Sequence, residues 1–194
     1  MNNLIVHLIR HGEVHNPNQV LYGRLPKFPL SEKGKKCIQK AADFLKTRKI
    51  LAIYSSPLLR TRQTAGILSK ALGVKPYYSA YLLEVKLLFQ GISLEKFKKE
   101  IQPYIYSDRY LSMGQESVEE ILKRMQTVLG IVKKTYDKGE VIIVSHGDPI
   151  VIVQAWIQGY KFTWQYKKDN YLKTGEWITI TYDPQKENWK KINI

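Results

Sequence analysis

The apolar run from Leu4 to Ile9 is broken only by His7 and ends in Arg10-His11-Gly12. That is the pattern of a strand buried on both faces, as in a parallel sheet. After a loop rich in Pro, Asn and Gly from Asn16 to Pro29, Ser31 can cap a helix running to about Thr47. Its apolar face is Cys37, Ile38, Ala41, Ala42 and Leu45, which makes Cys37 a small core residue. Leu51 to Tyr54 is a second short apolar run. Ser55-Ser56-Pro57 then offers an N-cap and a proline at the first helical position, ahead of a stripe of Ala65, Leu68, Ala71 and Leu72 that Gly73 ends. Val118, Ile121, Leu122, Met125, Val128, Leu129 and Val132 fall at helical spacing after a Ser117 cap, on a helix reaching about Tyr136. Gly139 precedes the apolar run Val141 to Val144, which ends at Ser145-His146-Gly147, with Pro149 starting a further helix.

Strands alternating with helices predict an α/β fold around a mainly parallel sheet, with helices on both faces. Trp177 to Tyr182 and Asn188 to Ile194, around Asp183-Pro184, read as a closing hairpin. No repeat, low-complexity segment or linker interrupts the chain, so residues 1–194 are expected to form a single domain. Residues 84 to 116 are the least regular and read as an excursion over one end of the sheet.

Composition narrows the function classes. The chain has 194 residues, 44% hydrophobic and 25% charged, enough apolar material for one sizeable core. A single cysteine, Cys37, excludes a disulfide framework or a thiolate metal cage. Met1-Asn2-Asn3 supplies no basic leader before the first strand, and no apolar stretch approaches the roughly 20 residues of a spanning helix; a cytoplasmic protein without a membrane partner is expected. The net charge of +14 is spread along the chain, with short clusters at Lys33 to Lys36, Lys96 to Lys99 and Lys167-Lys168. Without a long basic arm, this pattern reads as a solvated basic surface rather than a nucleic-acid interface, although it also suits an anionic small substrate.

Candidate chemistry gathers at three strand-to-helix junctions: Arg10-His11, Ser55 to Arg60, and His146. In an open parallel sheet such junctions lie at the carboxyl edge, where ligands bind. Two histidines and two arginines there make a site for a dianion, and helix N-termini add N–H groups and a favourable dipole for phosphate.

These residues carry a family resemblance. Leu8-Ile9-Arg10-His11-Gly12-Glu13 resembles the Arg-His-Gly signature of the histidine phosphatase superfamily, the phosphoglycerate-mutase-like proteins. The stretch Ser55-Ser56-Pro57-Leu58-Leu59-Arg60-Thr61-Arg62-Gln63-Thr64-Ala65 is similar to its second signature, and Ser145-His146-Gly147 to its third. Pro29-Leu30-Ser31-Glu32-Lys33-Gly34, and Gly114-Gln115-Glu116-Ser117 with Arg124, also resemble family helix starts. Several motifs in order, each at an expected junction, are far more specific than a lone Arg-His-Gly. The resemblance implies a three-layer α/β/α fold with a small cap at 85–116 over the carboxyl edge, in a small phosphatase branch similar to α-ribazole phosphatase and broad-specificity phosphatases.

Carried over residue by residue, the resemblance makes His11 the nucleophile, with Arg10, Arg60 and His146 holding the phosphate. The positive surroundings should keep His11 neutral. Leu82-Leu83-Glu84 with Phe89-Gln90-Gly91 fits the family segment that supplies the proton donor, here Glu84. The family's phosphate-binding asparagine commonly stands seven positions after the arginine, where this chain has Pro17. Asn16 comes one step early, as does Gly23, so a one-residue deletion between Glu13 and Asn16 restores both; Asn18 is the competitor.

Other positions have plainer readings. His7, His11 and His15 are four apart, but a strand followed by a loop does not aim three rings at one centre, so no metal or other cofactor is implied. His7 reads as a buried histidine with a hydrogen bond, His15 as a loop residue, Glu13 as an organiser of loop backbone, and Arg62 as structural or a rim charge. Tyr22, Gly23 and Arg24 sit where a substrate rim would form, and Tyr104, Tyr106, Arg109 and Tyr110 could line the leaving-group side. The expected activity is hydrolysis of a phosphorylated small molecule, with mutase-type transfer or a non-catalytic binding or regulatory role on the same scaffold as alternatives. The motifs do not specify the phosphomonoester or the oligomeric state.

Overall fold

The computed structural model describes residues 3–193; the start of the leader reading, Met1-Asn2, and the end of the hairpin reading, Ile194, lie outside them. Strands β1 (Leu4–Arg10), β2 (Ile50–Ser55), β3 (Pro76–Tyr78), β4 (Gly139–Ser145), β5 (Trp177–Asp183) and β6 (Asn188–Ile192) form one sheet in the order β3-β2-β4-β1-β5-β6. The pairs β3·β2, β2·β4 and β4·β1 are parallel, whereas β5 and β6 add an antiparallel edge. Register places Arg10 opposite Ser145 and Ser55 opposite Val144. The three polar junctions therefore leave the sheet side by side at its carboxyl edge.

Helices α1 (Glu32–Leu45) and α2 (Leu59–Leu72) cover one face, where Ile38, Ala42, Leu45, Ala65 and Leu68 pack on Ile9, Ile53, Ile142 and Val144. Between β3 and the long central helix the chain makes only short pieces: a 3₁₀ turn at Ala80–Leu82, α3 (Leu94–Lys96), a π turn at Phe97–Ile101, a 3₁₀ turn at Gln102–Tyr104 and α4 (Asp108–Leu111). On the opposite face of the sheet, α5 (Val118–Thr135) and α6 (Gly147–Ile157) pack Met125, Val128, Leu129, Val132, Ile150 and Val153 on Val6, Leu8, Val141 and Ile143. A short α7 (Trp164–Asn170) follows. Alternate residues of β4 feed opposite clusters, which explains an apolar run without polar interruption. Three layers, α/β/α, result.

Segment 85–116 has its own apolar centre. Phe97, Ile101, Ile105 and Tyr110 pack with Leu21 from the loop after β1, and Leu21 N donates to Ile92 O at 2.7 Å. This ties the segment to the loop that follows His11.

Ser31 caps α1 as expected, and Ser117 caps α5 in a full capping box with Glu120. Three local expectations are corrected. Helix α2 begins at Leu59, with Leu58 at its cap and no capping side chain, because Ser55 and Ser56 turn their hydroxyls elsewhere. Helix α6 begins at Gly147, so Pro149 is its third residue; all three lack intrahelical N–H partners, and a proline costs nothing there. Cys37 is only half-buried, its thiol toward Thr174 O at the margin of α1, while Ile38 occupies the core. Among the described residues no helix is long and apolar enough to cross a membrane.

Candidate active site

His11 is the first residue beyond β1, and its backbone N–H continues the ladder to Ser145 O at 3.1 Å. Its side chain is 1% exposed. Nδ1–H donates to Gly12 O at 2.8 Å, which fixes the tautomer and leaves Nε2 as an acceptor. Arg60, in the first turn of α2 and equally buried, donates from Nε to that Nε2 at 3.1 Å. Its Nη2 reaches His146 Nδ1 at 3.0 Å and Gly23 O at 2.8 Å. His146, the N-cap of α6, then donates from Nε2 to Ser56 Oγ at 2.9 Å. One guanidinium thus joins residues from all three junctions, and the imidazole rings lie 5.2 Å apart.

Burial pushes the pKa of both histidines well below the usual value, and the charges of Arg60 and Arg10 push the same way. Both rings are therefore neutral. Arg10, the last residue of β1, lies over the Tyr171 ring at 4.7 Å and donates from Nη1 to Leu172 O. Its Nε is the one buried side-chain N or O that finds no hydrogen-bond partner among the described residues.

Glu84 completes the group. One carboxylate oxygen accepts from Val85 N at 3.0 Å and the other lies 3.8 Å from His146 Nδ1. Burial raises its pKa and so does Asp148, against the opposing pull of Arg60 and Arg10. A cavity of about 170 Å³ opens beside this group, with Arg10 and Glu84 on its wall and His11, Arg60 and His146 behind them. Arg10, Tyr22, Gly23 and Glu84 line it on the sheet side; Phe97, Lys98, Gln102 and Ile105 do so on the side of segment 85–116.

The structure brings His11, Arg10, Arg60, His146 and Glu84 together, with Tyr22 and Gly23 over them. The Tyr22 ring lies 4.8 Å from the Arg60 guanidinium, and Gly23, at φ 40°, has a conformation that suits glycine and leaves no room for a Cβ beside Gln90. Asn16 is not drawn into the cluster: its amide donates to Val20 O at 2.8 Å and accepts from Val20 N at 3.2 Å, closing its own loop. Asn18 is exposed. Arg24 is a clasp, donating to Glu84 O at 2.6 Å and to Glu116 at 3.1 Å. Glu13 binds Ser31 and Lys33, and His7 is buried between Glu140 and Thr179. His15 and Arg62 are exposed. Tyr104 and Arg109 face solvent and Tyr110 joins the apolar centre of segment 85–116, so none of the three lines the cavity; Tyr106 reaches it through Asp148.

Sequence reasoning missed three further residues at the cavity. Lys167, which the sequence pattern groups with the solvated lysines, is 4% exposed and donates to Asp148 at 2.7 Å. Tyr171 lies so close over the start of α6 that any side chain at Gly147 would meet its ring. Asp148 had one available signal, an acid in the first turn after a candidate histidine; Lys167 and Tyr171 had none, because they come from elements distant in sequence. Ligand atoms of His11, Glu84 and His146 also lie within 4.8 Å of one another, a spacing a metal ion could use. The nitrogens Nε2 of His11 and Nδ1 of His146 are, however, already engaged by Arg60 N–H groups.

The sequence profile described as the histidine phosphatase superfamily (branch 1) matches residues 6–194. The protein Rv0525 of Mycobacterium tuberculosis (strain ATCC 25618 / H37Rv) is 29% identical over 182 residues, covering 92% of this chain and 90% of its own length. Phosphoserine phosphatase 1 of Hydrogenobacter thermophilus is 27% identical over 173 residues, 84% of this chain and 81% of its own. Among solved structures, Bacillus stearothermophilus YhfR superposes with a TM-score of 0.85 at 20% identity, over 97% of this chain and 95% of that one.

Proposed function

The chain belongs to the histidine phosphatase superfamily, and from that premise we propose that it is a metal-independent phosphomonoester hydrolase that works through a phosphohistidine on His11. The observation that carries this reading is the Arg60 guanidinium, which donates to His11 Nε2 and His146 Nδ1 together. A phosphoryl group entering there meets a neutral nucleophile beside fixed positive charge, the arrangement that stabilises phosphoryl transfer. The unpartnered Arg10 Nε supplies another donor. The phosphate takes over the Arg60 Nη2–H now held by Gly23 O, so entry displaces Tyr22 and Gly23.

In the first step the Arg60 Nε–H turns from His11 Nε2 to a phosphoryl oxygen. The freed Nε2 lone pair attacks phosphorus as the ester P–O bond breaks, while Glu84 gives its proton to the departing oxygen. In the second, the Glu84 carboxylate takes a proton from water while the oxygen attacks phosphorus. The P–N bond then breaks, phosphate leaves and both side chains are restored. The raised pKa of Glu84 suits the donor role. Asn16 serves indirectly, by closing the 16–20 loop.

The electrostatics disfavour a metal at His11, Glu84 and His146: a dication would have to displace Arg60 from both rings and sit beside two guanidiniums. Segment 85–116 acts as a small cap. Its only arginine, Arg109, is exposed and stacked on Tyr110, and the cap's polar cavity residues are Lys98 and Gln102. Little there would retain a bisphosphorylated intermediate for transfer back, which favours hydrolysis over mutase chemistry. The cavity volume suits a compact phosphorylated small molecule.

Rapid quenching during turnover of an aryl phosphate is expected to trap phosphate on His11 as an acid-labile, base-stable adduct, at a rate unchanged after dialysis against a chelator. An adduct on serine, or a rate lost with the metal, would overturn the mechanism. Bisphosphoglycerate-stimulated conversion of 3-phosphoglycerate to 2-phosphoglycerate, with little free phosphate, would overturn hydrolysis in favour of mutase activity.

A further inference from the structure

A buried charge pair lies against the cavity and has no part in the steps above. Asp148, the second residue of α6, is 8% exposed and accepts from Lys167 Nζ of α7 at 2.7 Å and from Tyr106 OH of segment 85–116 at 2.6 Å. Lys167 also faces the rings of Tyr171 and Trp164 at 5.2 and 5.8 Å. Desolvation offsets much of the attraction in such a pair, so stability alone is a weak reason for it. Asp148, Lys167 and Glu84 line the same cavity, and that placement supplies another reason.

The charged and titratable groups around Glu84 come from every element packed against it. They are Arg10 on β1 and His11 just beyond it; Tyr22 and Arg24 on the following loop; Arg60 on α2; Lys98 and Tyr106 from segment 85–116; His146 and Asp148 on α6; Lys167 on α7; and Tyr171 after it. Glu116, the other nearby acid, is engaged by Arg24 and Arg124. The cations favour an ionised Glu84, which could not donate a proton. Resting on the assignment of Glu84 as proton donor, we propose that Asp148, across the same cavity, is a positioning residue that keeps the proton on Glu84, and that Lys167 and Tyr106 perform this task by keeping Asp148 ionised.

Two carboxyls at one cavity resist ionising together, so the better-solvated or better-paired one loses its proton first. Burial opposes the charge on Asp148, but the Lys167 ammonium and the hydrogen bonds from Lys167 and Tyr106 outweigh it. Glu84 has no such partner: burial comes first in keeping its proton on, and Asp148 second. Because Tyr106 belongs to segment 85–116, the donor is armed only with that segment seated on α6.

The test is kcat/KM against pH for an alkyl phosphate, whose alkoxide needs a proton, and for p-nitrophenyl phosphate, whose leaving group hardly does. In Asp148→Asn the alkaline limb for the alkyl ester should move down by about one pH unit, about a tenfold loss above the limb, against little change for the aryl ester. In Asp148→Asn/Lys167→Met, which leaves no charge at either position and also removes a cation that favours ionised Glu84, it should move the same way by less. An unmoved limb in the folded double variant, or equal losses on both esters, overturns the proposal. Should the double variant fail to fold, Tyr106→Phe removes a single oxygen. It should lower alkyl turnover selectively, and equal turnover of both esters relative to wild type overturns the idea. Glu84→Gln run alongside separates the two assignments. Leaving-group-dependent loss there with an unmoved limb sinks only Asp148, whereas equal losses in Glu84→Gln sink the donor assignment itself.

Discussion

His7 and His11 stand four residues apart, one within β1 and one just beyond it, and both rings are almost wholly buried. Their partners differ in sign. His7 lies between Glu140, at 2.8 Å, and Thr179, at 3.1 Å, and Glu140 is itself paired with Arg48. His11 lies between a carbonyl and a guanidinium. Burial lowers the pKa of each; Glu140 works against that at His7, whereas Arg60 and Arg10 add to it at His11. At His7 every polar atom has a partner that remains, so the ring is a joint between β1, β4 and β5. At His11 the Nε2 acceptor faces a guanidinium that also holds His146, and in the proposed mechanism this is the atom that attacks phosphorus. Burial makes a histidine neutral; the neighbours decide whether that neutrality is put to use.

The sharpest break of this contrast is His11→Ala. It should cost at least about 10³-fold in kcat, as loss of a nucleophile does, while thermal unfolding stays cooperative. Turnover surviving within tenfold of wild type would place His11 with His7 as structural.

Arg60→Lys is the next largest. A lysine keeps the charge but cannot bond both rings and a phosphate oxygen from one planar group. A loss of roughly 10²-fold in kcat/KM is expected, in the range of removing one transition-state donor. Unchanged steady-state kinetics would show that charge alone suffices.

The smallest effect belongs to His7. His7→Leu should lower stability by about 1–3 kcal/mol, because Glu140 and Thr179 lose a partner, and leave the kcat of the folded protein near wild type. It should also flatten the acid side of the stability curve. A histidine whose folded pKa is lowered takes up its proton more readily in the unfolded chain, so stability is full above the ordinary histidine range and falls as pH drops below about 6.5. Denaturant titrations at pH 7.5 and 5.5 would read this. A wild-type stability higher at pH 5.5, or no flattening in His7→Leu, would contradict it.

The recurrent apolar runs made the strands and major helices readable, since each run covers a two-faced sheet or a core-facing stripe. Periodicity located Ser31 and Ser117 as caps because capping is local. It misplaced the start of α2 because Ser56 Oγ is held by His146, 90 positions away in the chain, and that competing bond is invisible locally. It did not find β3, three residues beginning with Pro76 at the sheet edge, where pairing to β2 rather than propensity makes the strand.

For the site, the sequence by itself determined which side chains stand at the ends of β1, β2 and β4, and the parallel α/β pattern implied one common edge. Those properties follow from short-range order and the handedness of strand–helix–strand units. Only the tertiary structure decided that Arg60 bonds both histidines, that Arg24 holds the Glu84 backbone rather than lining the cavity, and that Lys167 is buried on Asp148 instead of solvated. A charged side chain carries no mark of its burial in the letters around it. Its state is set by the dielectric and the counter-charge that distant elements bring, and these exist only once the chain has closed around it.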